Sequence, residues 1–182
     1  PSSQTPGLPQ QGIRIDAWSP SGMRSFLAVL LALLAQPAVG QEWGGGRRCA
    51  VLGDSLAVGA ARHAPGCEVR ARVGIGSAEF ARTYAATPVR ADAALISLGA
   101  NDGGRADTLD HLAAVRAAVV ARSVTWVLPA RGEGARRAIL AIALGLGDRI
   151  IETRAVTGGD GLHLTAQAYW AVAQIAVGAA AR

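Results

Sequence analysis

Short apolar runs of strand length alternate along this chain with longer stretches in which apolar residues recur at helical spacing. The predicted strands are Cys49–Leu52, Glu68–Val73, Ala93–Leu98, Val124–Leu128 and Arg149–Glu152. The predicted helices are Ser55–Arg62, Ser77–Ala86, Asp107–Arg122, Ala135–Leu146 and a final helix from Thr165 onward. Strands separated by helices pair in parallel, because each helix returns the chain to the same end of the sheet. The pattern predicts an α/β fold: a three-layer α/β/α sandwich with a five-stranded parallel sheet in flavodoxin-like order.

The length and the net charge of the chain limit the functional classes to which it can belong. A chain of 182 residues, half of them hydrophobic, suits one domain with one well-buried core. The net charge of +5 comes from arginines alone, and they are dispersed along the chain. Because nucleic-acid binding needs clustered basic residues, we expect no nucleic-acid partner. Phosphoryl transfer at a glycine-rich loop is disfavoured, since the chain has no Lys and no phosphate-cradling motif.

The N-terminal part of the chain has the features of an export signal peptide. Met23-Arg24-Ser25 precedes an apolar run, Phe26–Ala35, and small residues follow at Ala38 and Gly40. The alternatives are a membrane anchor or a buried helix, but the run is well short of the roughly 20 residues that span a bilayer. The predicted organisation is an upstream segment at 1–22, a signal peptide at 23–40 cleaved after Gly40, and one domain at 41–182. We therefore expect an exported protein, periplasmic or secreted, with no stable membrane span.

Export changes the interpretation of the two cysteines, Cys49 and Cys67. An oxidising compartment lets a disulfide persist, and closing a loop of this length stabilises a fold by roughly 3 kcal/mol in the chain-entropy model. The alternative is a pair of buried free thiols. We favour the bridge.

Polar, glycine-flanked clusters follow three of the predicted strands, and a fourth lies in the long loop after the fifth strand. They are Gly53-Asp54-Ser55-Leu56, Gly74-Ile75-Gly76-Ser77, Gly99-Ala100-Asn101-Asp102 and Asp160-Gly161-Leu162-His163. Each alone has an ordinary explanation, such as a helix cap at Ser55 or an Asx-turn at Asn101. Together they converge on one edge of the sheet, where ligands bind in open α/β folds.

The combination suits nucleophilic catalysis. A serine hydroxyl needs a base to accept its proton, so Ser55 would act with His163. Asp160 can fix the tautomer of that imidazole and stabilise the imidazolium that forms. The backbone N–H of Ser55, the N–H of Gly76 and the side-chain amide of Asn101 are the candidate donors of an oxyanion hole.

These four clusters resemble the sequence blocks of the SGNH or GDSL hydrolases, in the order of that family. The resemblance runs from Cys49 to the final helix and includes Leu164-Thr165 after the last block. It implies an esterase or lipase with a Ser-His-Asp triad, no metal and no cofactor. The short turn around Gly76 departs from the longer glycine-containing turn usual in the family, and Gly74 is the alternative for its role.

Other residues receive structural interpretations. His63 and His111 are expected on helix surfaces, Asp102 in a loop-shaping role, and Trp126 and Trp170 in the core. Arg105 and Arg131 lie near strand ends, where they either contact an acidic substrate or are solvated.

We predict hydrolysis of carboxylic esters through an acyl-enzyme on Ser55. About 140 residues remain once the 40 of the N-terminal part are removed, so there is little room for a lid. This favours small acyl groups, such as acetyl esters of carbohydrates, or simple lipid esters, taken as small-molecule substrates by a monomer. The alternative is a catalytically inactive protein of the same fold that binds a carbohydrate or a peptidoglycan fragment.

Overall fold

The structure is a computed structural model that describes residues 48–180. The strands are β1 (Cys49–Gly53), β2 (Glu68–Ala71), β3 (Val89–Ser97), β4 (Val119–Leu128) and β5 (Arg149–Glu152). The helices are α1 (Ser55–Ala61), α2 (Ser77–Tyr84), α3 (Thr108–Ala117), α4 (Glu133–Leu146) and α5 (Ala166–Ala180), with a 3-10 turn at Arg154–Val156. The segment at 1–22 and the predicted signal peptide at 23–40 lie outside the described residues.

The five strands form one parallel sheet in the order β2-β1-β3-β4-β5, which confirms the predicted fold class. From β1 the chain moves to one neighbour, β2, and then crosses to the other side to form β3. The order therefore reverses between β1 and β3, and such a reversal opens a crevice at the carboxyl ends of the two strands. Gly53 at the end of β1 pairs with Ser97 at the end of β3, so both strands end at this crevice.

Successive strand residues point to opposite faces of the sheet and fill two cores. Leu52 and Ile96 pack on one face with α2, α3 and α4, whereas Val51 and Leu95 pack on the other with α1 and α5. The alternation accounts for the uninterrupted apolar run Ala93–Ile96 in the central strand β3, because a sheet covered on both faces has no polar side. The result is the predicted three-layer sandwich.

The boundaries of the third and fourth strands differ from the sequence prediction. The predicted helix to Arg122 is wrong, because α3 ends at Ala117 and β4 begins at Val119. β3 also starts earlier, and its first residue, Val89, pairs with Val119. The β-branched Val119 and Val120 favour a strand once a partner lies beside them, and helical spacing alone did not reveal that partner.

Trp126 and Trp170 have different environments. Trp126 in β4 is fully buried, as predicted. The prediction that Trp170 belongs to the core is wrong, because its side chain is 56% exposed. The buried stripe of α5 includes Ala168 and Val172, and at about 100° per residue Trp170 lies on the opposite side of the helix.

Cys49 and Cys67 form a disulfide that joins the start of β1 to the turn before β2. The two cysteines are separated by 18 positions in the sequence, and the bridge closes the loop between them. Between residues 48 and 180 no helix has both the length and the apolar composition that a membrane crossing requires.

Candidate active site

Ser55 is the first residue of α1, and only Asp54 separates it from Gly53, the last residue of β1. Gly53 has a φ of +134°, and a Cβ at this position would lie 1.7 Å from the carbonyl oxygen of Ser97. Only glycine permits this approach. The N–H of Asp54 donates to the same carbonyl at 2.9 Å. The turn is thus held against β3, and it presents the half-buried Ser55 at the crevice.

Asp54 fixes the start of α1 from a fully buried position. Its Oδ1 accepts hydrogen bonds from the N–H of Leu56 and from the hydroxyl of Ser97, both at 3.0 Å. Burial raises the pKa of Asp54 to about 6, because the charged form loses its solvation. Sequence reasoning did not single out Ser97, although a lone hydroxyl residue near the end of an apolar strand was a usable signal.

A continuous chain of hydrogen bonds joins Ser55, His163 and Asp160. His163 Nε2 lies 3.0 Å from Ser55 Oγ, and His163 Nδ1 lies 2.6 Å from Asp160 Oδ2. The hydrogen bond from His163, together with those from the backbone N–H groups of Leu162 and His163, holds the pKa of Asp160 well below its usual range. An ionised carboxylate can only accept, so Nδ1 carries the proton and Nε2 is free to accept the serine proton.

The loop that carries Asp160 and His163 is compact. The N–H of Gly158 donates to the carbonyl of His163 at 2.7 Å, and Leu164, the next residue, is buried in the core shared by α1 and α5. Arg131, in the loop between β4 and α4, donates to the carbonyl of Asp160 at 2.8 Å. The structure therefore places Arg131 on the triad loop, a contact that sequence reasoning missed.

A second network of hydrogen bonds holds the start of this loop, directly after β5. Arg136 is buried on α4 and donates to the carbonyl of Pro129 at 2.8 Å and to the carboxylate of Glu152. Hydrogen bonds from Arg136, opposed by partial desolvation, lower the pKa of Glu152 to about 2. Thr153, fully buried, donates its hydroxyl to the carbonyl of Leu128 at 2.6 Å. These contacts lock β5 and the start of the loop onto the end of β4.

The candidate oxyanion donors come from the ends of the three adjacent strands β2, β1 and β3. The N–H of Ser55 belongs to the first residue of α1, where a helix offers no internal acceptor. The side-chain amide of Asn101 donates to the carbonyl of Ile75 at 3.1 Å, which brings it beside Gly76. A Cβ on Gly76 would lie 3.5 Å from the carbonyl of Asn101, whereas one on Gly74 would meet no atom within 4 Å. Gly76, not Gly74, lies against the Asn101 loop.

The remaining polar residues singled out from the sequence lie elsewhere. Arg105 and His111 both contact Asp107, so Arg105 is engaged in a local ion pair. His63 follows α1 and takes no part in the hydrogen-bonded triad. In the part of the chain that the structure describes, no three His, Cys, Asp or Glu side chains cluster as metal ligands would.

The site is open. The side chains of His163 and Asp160 are 45% and 53% exposed. A cavity of about 290 Å³ lies beside the Asn101 loop, between the ends of β3 and β4. Most of its lining is backbone and small side chains, from Gly99, Ala100, Asp102, Gly103, Gly104, Thr108, Gly132, Glu133, Gly134 and Ala135.

Comparison with known proteins gives a likeness at the level of structure. No protein-family model and no curated protein sequence matches the chain. A GDSL-like lipase from Bacteroides thetaiotaomicron matches with a TM-score of 0.53 and 18% identity, over 85% of this chain and 94% of that one. A carbohydrate acetylesterase from Sinorhizobium meliloti matches with a TM-score of 0.51 and 15% identity, over 75% and 99%. The chain thus has the fold of the GDSL-type hydrolases, as its motifs predicted.

Proposed function

We propose that this protein is a serine hydrolase that cleaves carboxylic esters through an acyl-enzyme on Ser55. The observation that carries the proposal is the chain of hydrogen bonds from Ser55 through His163 to Asp160, at 3.0 Å and 2.6 Å. These distances are those of a nucleophile, a general base and an orienting carboxylate. The fold shared with esterases and lipases is consistent with this chemistry.

Acylation follows from this geometry. His163 Nε2 takes the proton of the Ser55 hydroxyl while Oγ attacks the ester carbonyl, and the imidazolium that forms is stabilised by the Asp160 carboxylate. The N–H groups of Ser55 and Gly76 and the amide of Asn101 donate to the oxyanion of the tetrahedral intermediate. Asn101 uses one amide hydrogen on Ile75 and retains the other for this role. Collapse releases the alcohol, which takes the proton from His163.

Deacylation repeats these steps with water in place of the serine. His163 removes a proton from the water as it attacks the acyl carbonyl, and the same donors bind the second oxyanion. Collapse returns the proton to Ser55 Oγ and releases the carboxylic acid. The exposed triad allows water to reach the acyl-enzyme.

Small acyl groups on a polar alcohol are the substrates that fit this site best. A long acyl chain binds in an apolar channel that buries it, whereas the side chains of His163 and Asp160 are about half exposed to solvent. We propose acetyl esters of carbohydrates first and simple lipid esters second. A clear preference for long acyl chains over acetyl would contradict this assignment.

We also propose that the protein is exported. The Cys49–Cys67 disulfide supports this, because disulfides persist mainly in oxidising compartments. N-terminal sequencing of the protein recovered from outside the cytoplasm tests it. A chain that begins at Gln41 agrees with the proposal, and an intact N-terminus in a cytoplasmic fraction contradicts it.

The deciding experiment is hydrolysis of p-nitrophenyl acetate by the wild type and by the variants Ser55→Ala and His163→Ala. His111→Ala is the matched control, because it removes an imidazole on α3 that hydrogen-bonds to Asp107, away from the triad. We expect both triad variants to lose at least about 100-fold in kcat/KM and the control to keep wild-type activity. Equal slow turnover in all four proteins would favour a carbohydrate-binding protein without catalysis.

A further inference from the structure

We propose that Asp102 is a positioning residue of the oxyanion hole: its carboxylate holds Ser77, and thereby sets Gly76 against Asn101. The inference rests on the proposed function, because it assigns a task in that same site. It concerns a pair of buried side chains that the triad does not use.

Helix α2 begins without a cap of its own. Its N-cap residue is Gly76, which has no side chain, although the first N–H groups of a helix need acceptors from outside it. The acceptor is Asp102, 25 residues further along the chain, whose Oδ1 receives the N–H of Ser77 at 2.7 Å. The cap for α2 is therefore supplied by the loop that also carries Asn101.

A second hydrogen bond makes this contact a clamp. The hydroxyl of Ser77 donates to Oδ2 of Asp102 at 2.6 Å, so both oxygens of one carboxylate hold the same residue. Ser77 is fully buried and Asp102 nearly so. Hydrogen bonds to an ionised acceptor are short and strong, and water cannot compete for them at a buried position. The clamp therefore resists displacement of the two loops.

Glycine at position 76 is part of the same arrangement. A Cβ there would lie 3.1 Å from Oδ1 of Asp102, which is closer than most side chains approach. A serine or aspartate that capped α2 locally would crowd the carboxylate that performs this task. Gly76 leaves room for the clamp and lies against the Asn101 loop, where a Cβ would be 3.5 Å from the carbonyl oxygen of Asn101.

The clamp thus lies between two of the three candidate donors. Gly76 directly precedes Ser77, and Asn101 directly precedes Asp102. The amide of Asn101 adds a third bond between the loops, to the carbonyl of Ile75. Loss of one oxyanion donor costs about 100- to 1,000-fold in kcat, and a misplacement of about 1 Å costs about 100-fold. Loosening the clamp is therefore expected to slow the chemical step without removing any donor.

Asp102→Ala tests the clamp, and Asp102→Asn is the conservative variant. The asparagine oxygen still accepts the N–H of Ser77, and its amide donates to the Ser77 hydroxyl instead of accepting from it. Asp148→Ala is the matched control for lost stability. The side chain of Asp148 is also little exposed and hydrogen-bonds to Arg116 and Trp126, but Asp148 lies before β5 at the opposite end of the sheet.

The measurements are kcat, KM and the pH profile for p-nitrophenyl acetate, and the affinity for a boronic acid that binds as a tetrahedral adduct. For Asp102→Ala we expect kcat to fall at least ~10-fold, with unchanged KM and an unchanged pH profile. The affinity for the boronic acid should fall in parallel, and Asp102→Asn should restore most of both.

Two results overturn the inference. If the wild type shows Ser55-dependent turnover and Asp102→Ala behaves like Asp148→Ala, the proposed function stands and the clamp has only a structural role. If the wild type shows no Ser55-dependent turnover, the proposed function fails and the inference fails with it.

Discussion

The buried carboxyl of Asp54 should make the stability of this protein depend on pH in an unusual direction. Two hydrogen bonds at 3.0 Å, from the N–H of Leu56 and the hydroxyl of Ser97, reach the same oxygen, Oδ1. Of the buried side-chain polar atoms within residues 48–180, Oδ2 of Asp54 is the one without a hydrogen-bond partner. The perturbation is Asp54→Asn, because asparagine keeps an oxygen for these two bonds and cannot ionise.

The sign follows from the raised pKa. Burial raises the pKa of Asp54 from 3.8 to about 6, so the native state holds a proton that the unfolded state has already released. Stability therefore falls as pH rises through this window. Relative to low pH, where Asp54 is protonated in both states, the free energy of unfolding is lower by about 1 kcal/mol at pH 4.5 and by about 3 kcal/mol at pH 7.5. Each unit of pKa difference corresponds to about 1.36 kcal/mol. Between these two pH values the wild type should lose ~2 kcal/mol that Asp54→Asn does not lose.

Urea unfolding followed by circular dichroism, with the disulfide intact, measures this difference. The quantity to compare is the free energy of unfolding of Asp54→Asn minus that of the wild type, at pH 4.5 and at pH 7.5. Any fixed cost of the asparagine amide cancels between the two pH values. Asp110→Asn, an exposed carboxyl on α3, provides the baseline for the loss of one negative charge. The same difference at both pH values would refute the linkage argument.

Three further predictions concern the disulfide, a turn and the triad. Replacing Cys49 and Cys67 together by alanine should lower the free energy of unfolding by about 3 kcal/mol in urea titrations, because the disulfide no longer restricts the loop between them in the unfolded chain. An unchanged unfolding midpoint would contradict this prediction. Gly53→Ala should destabilise the protein by several kcal/mol more than Gly66→Ala in thermal unfolding. Both glycines have a positive φ, but only a Cβ at position 53 would meet a carbonyl oxygen of β3. Equal effects of the two substitutions would show that the clash is relieved. Asp160→Asn should lower kcat for p-nitrophenyl acetate on the order of 10,000-fold with little change in stability, because an amide facing Nδ1 favours the wrong tautomer. A loss below tenfold would argue against its orienting role.

Much of the fold followed from the sequence because its signals are local. Apolar runs that end in glycine predicted β1, and a run closed by Pro129 predicted the end of β4. The start of β4 was missed, because Val119 is consistent with both helical and strand spacing, and only the pairing with Val89 distinguishes them. Trp170 was misplaced for a similar reason: the face of α5 that is buried depends on the sheet against which it packs.

The candidate site likewise has features that local sequence signals predict and features that depend on long-range contacts. The sequence by itself predicted that Ser55, Asn101 and His163 lie at one edge of the sheet, since the carboxyl ends of parallel strands share that edge and the four polar clusters follow strands or the last loop. Only the tertiary structure decided which glycine lies against Asn101, that Ser97 bonds to Asp54, and that Asp102 caps the helix of Ser77. These pairs lie 43 and 25 residues apart along the chain. Contacts at such separations depend on the register of neighbouring strands and leave no periodic pattern in the sequence, so they become visible only when the sheet is assembled.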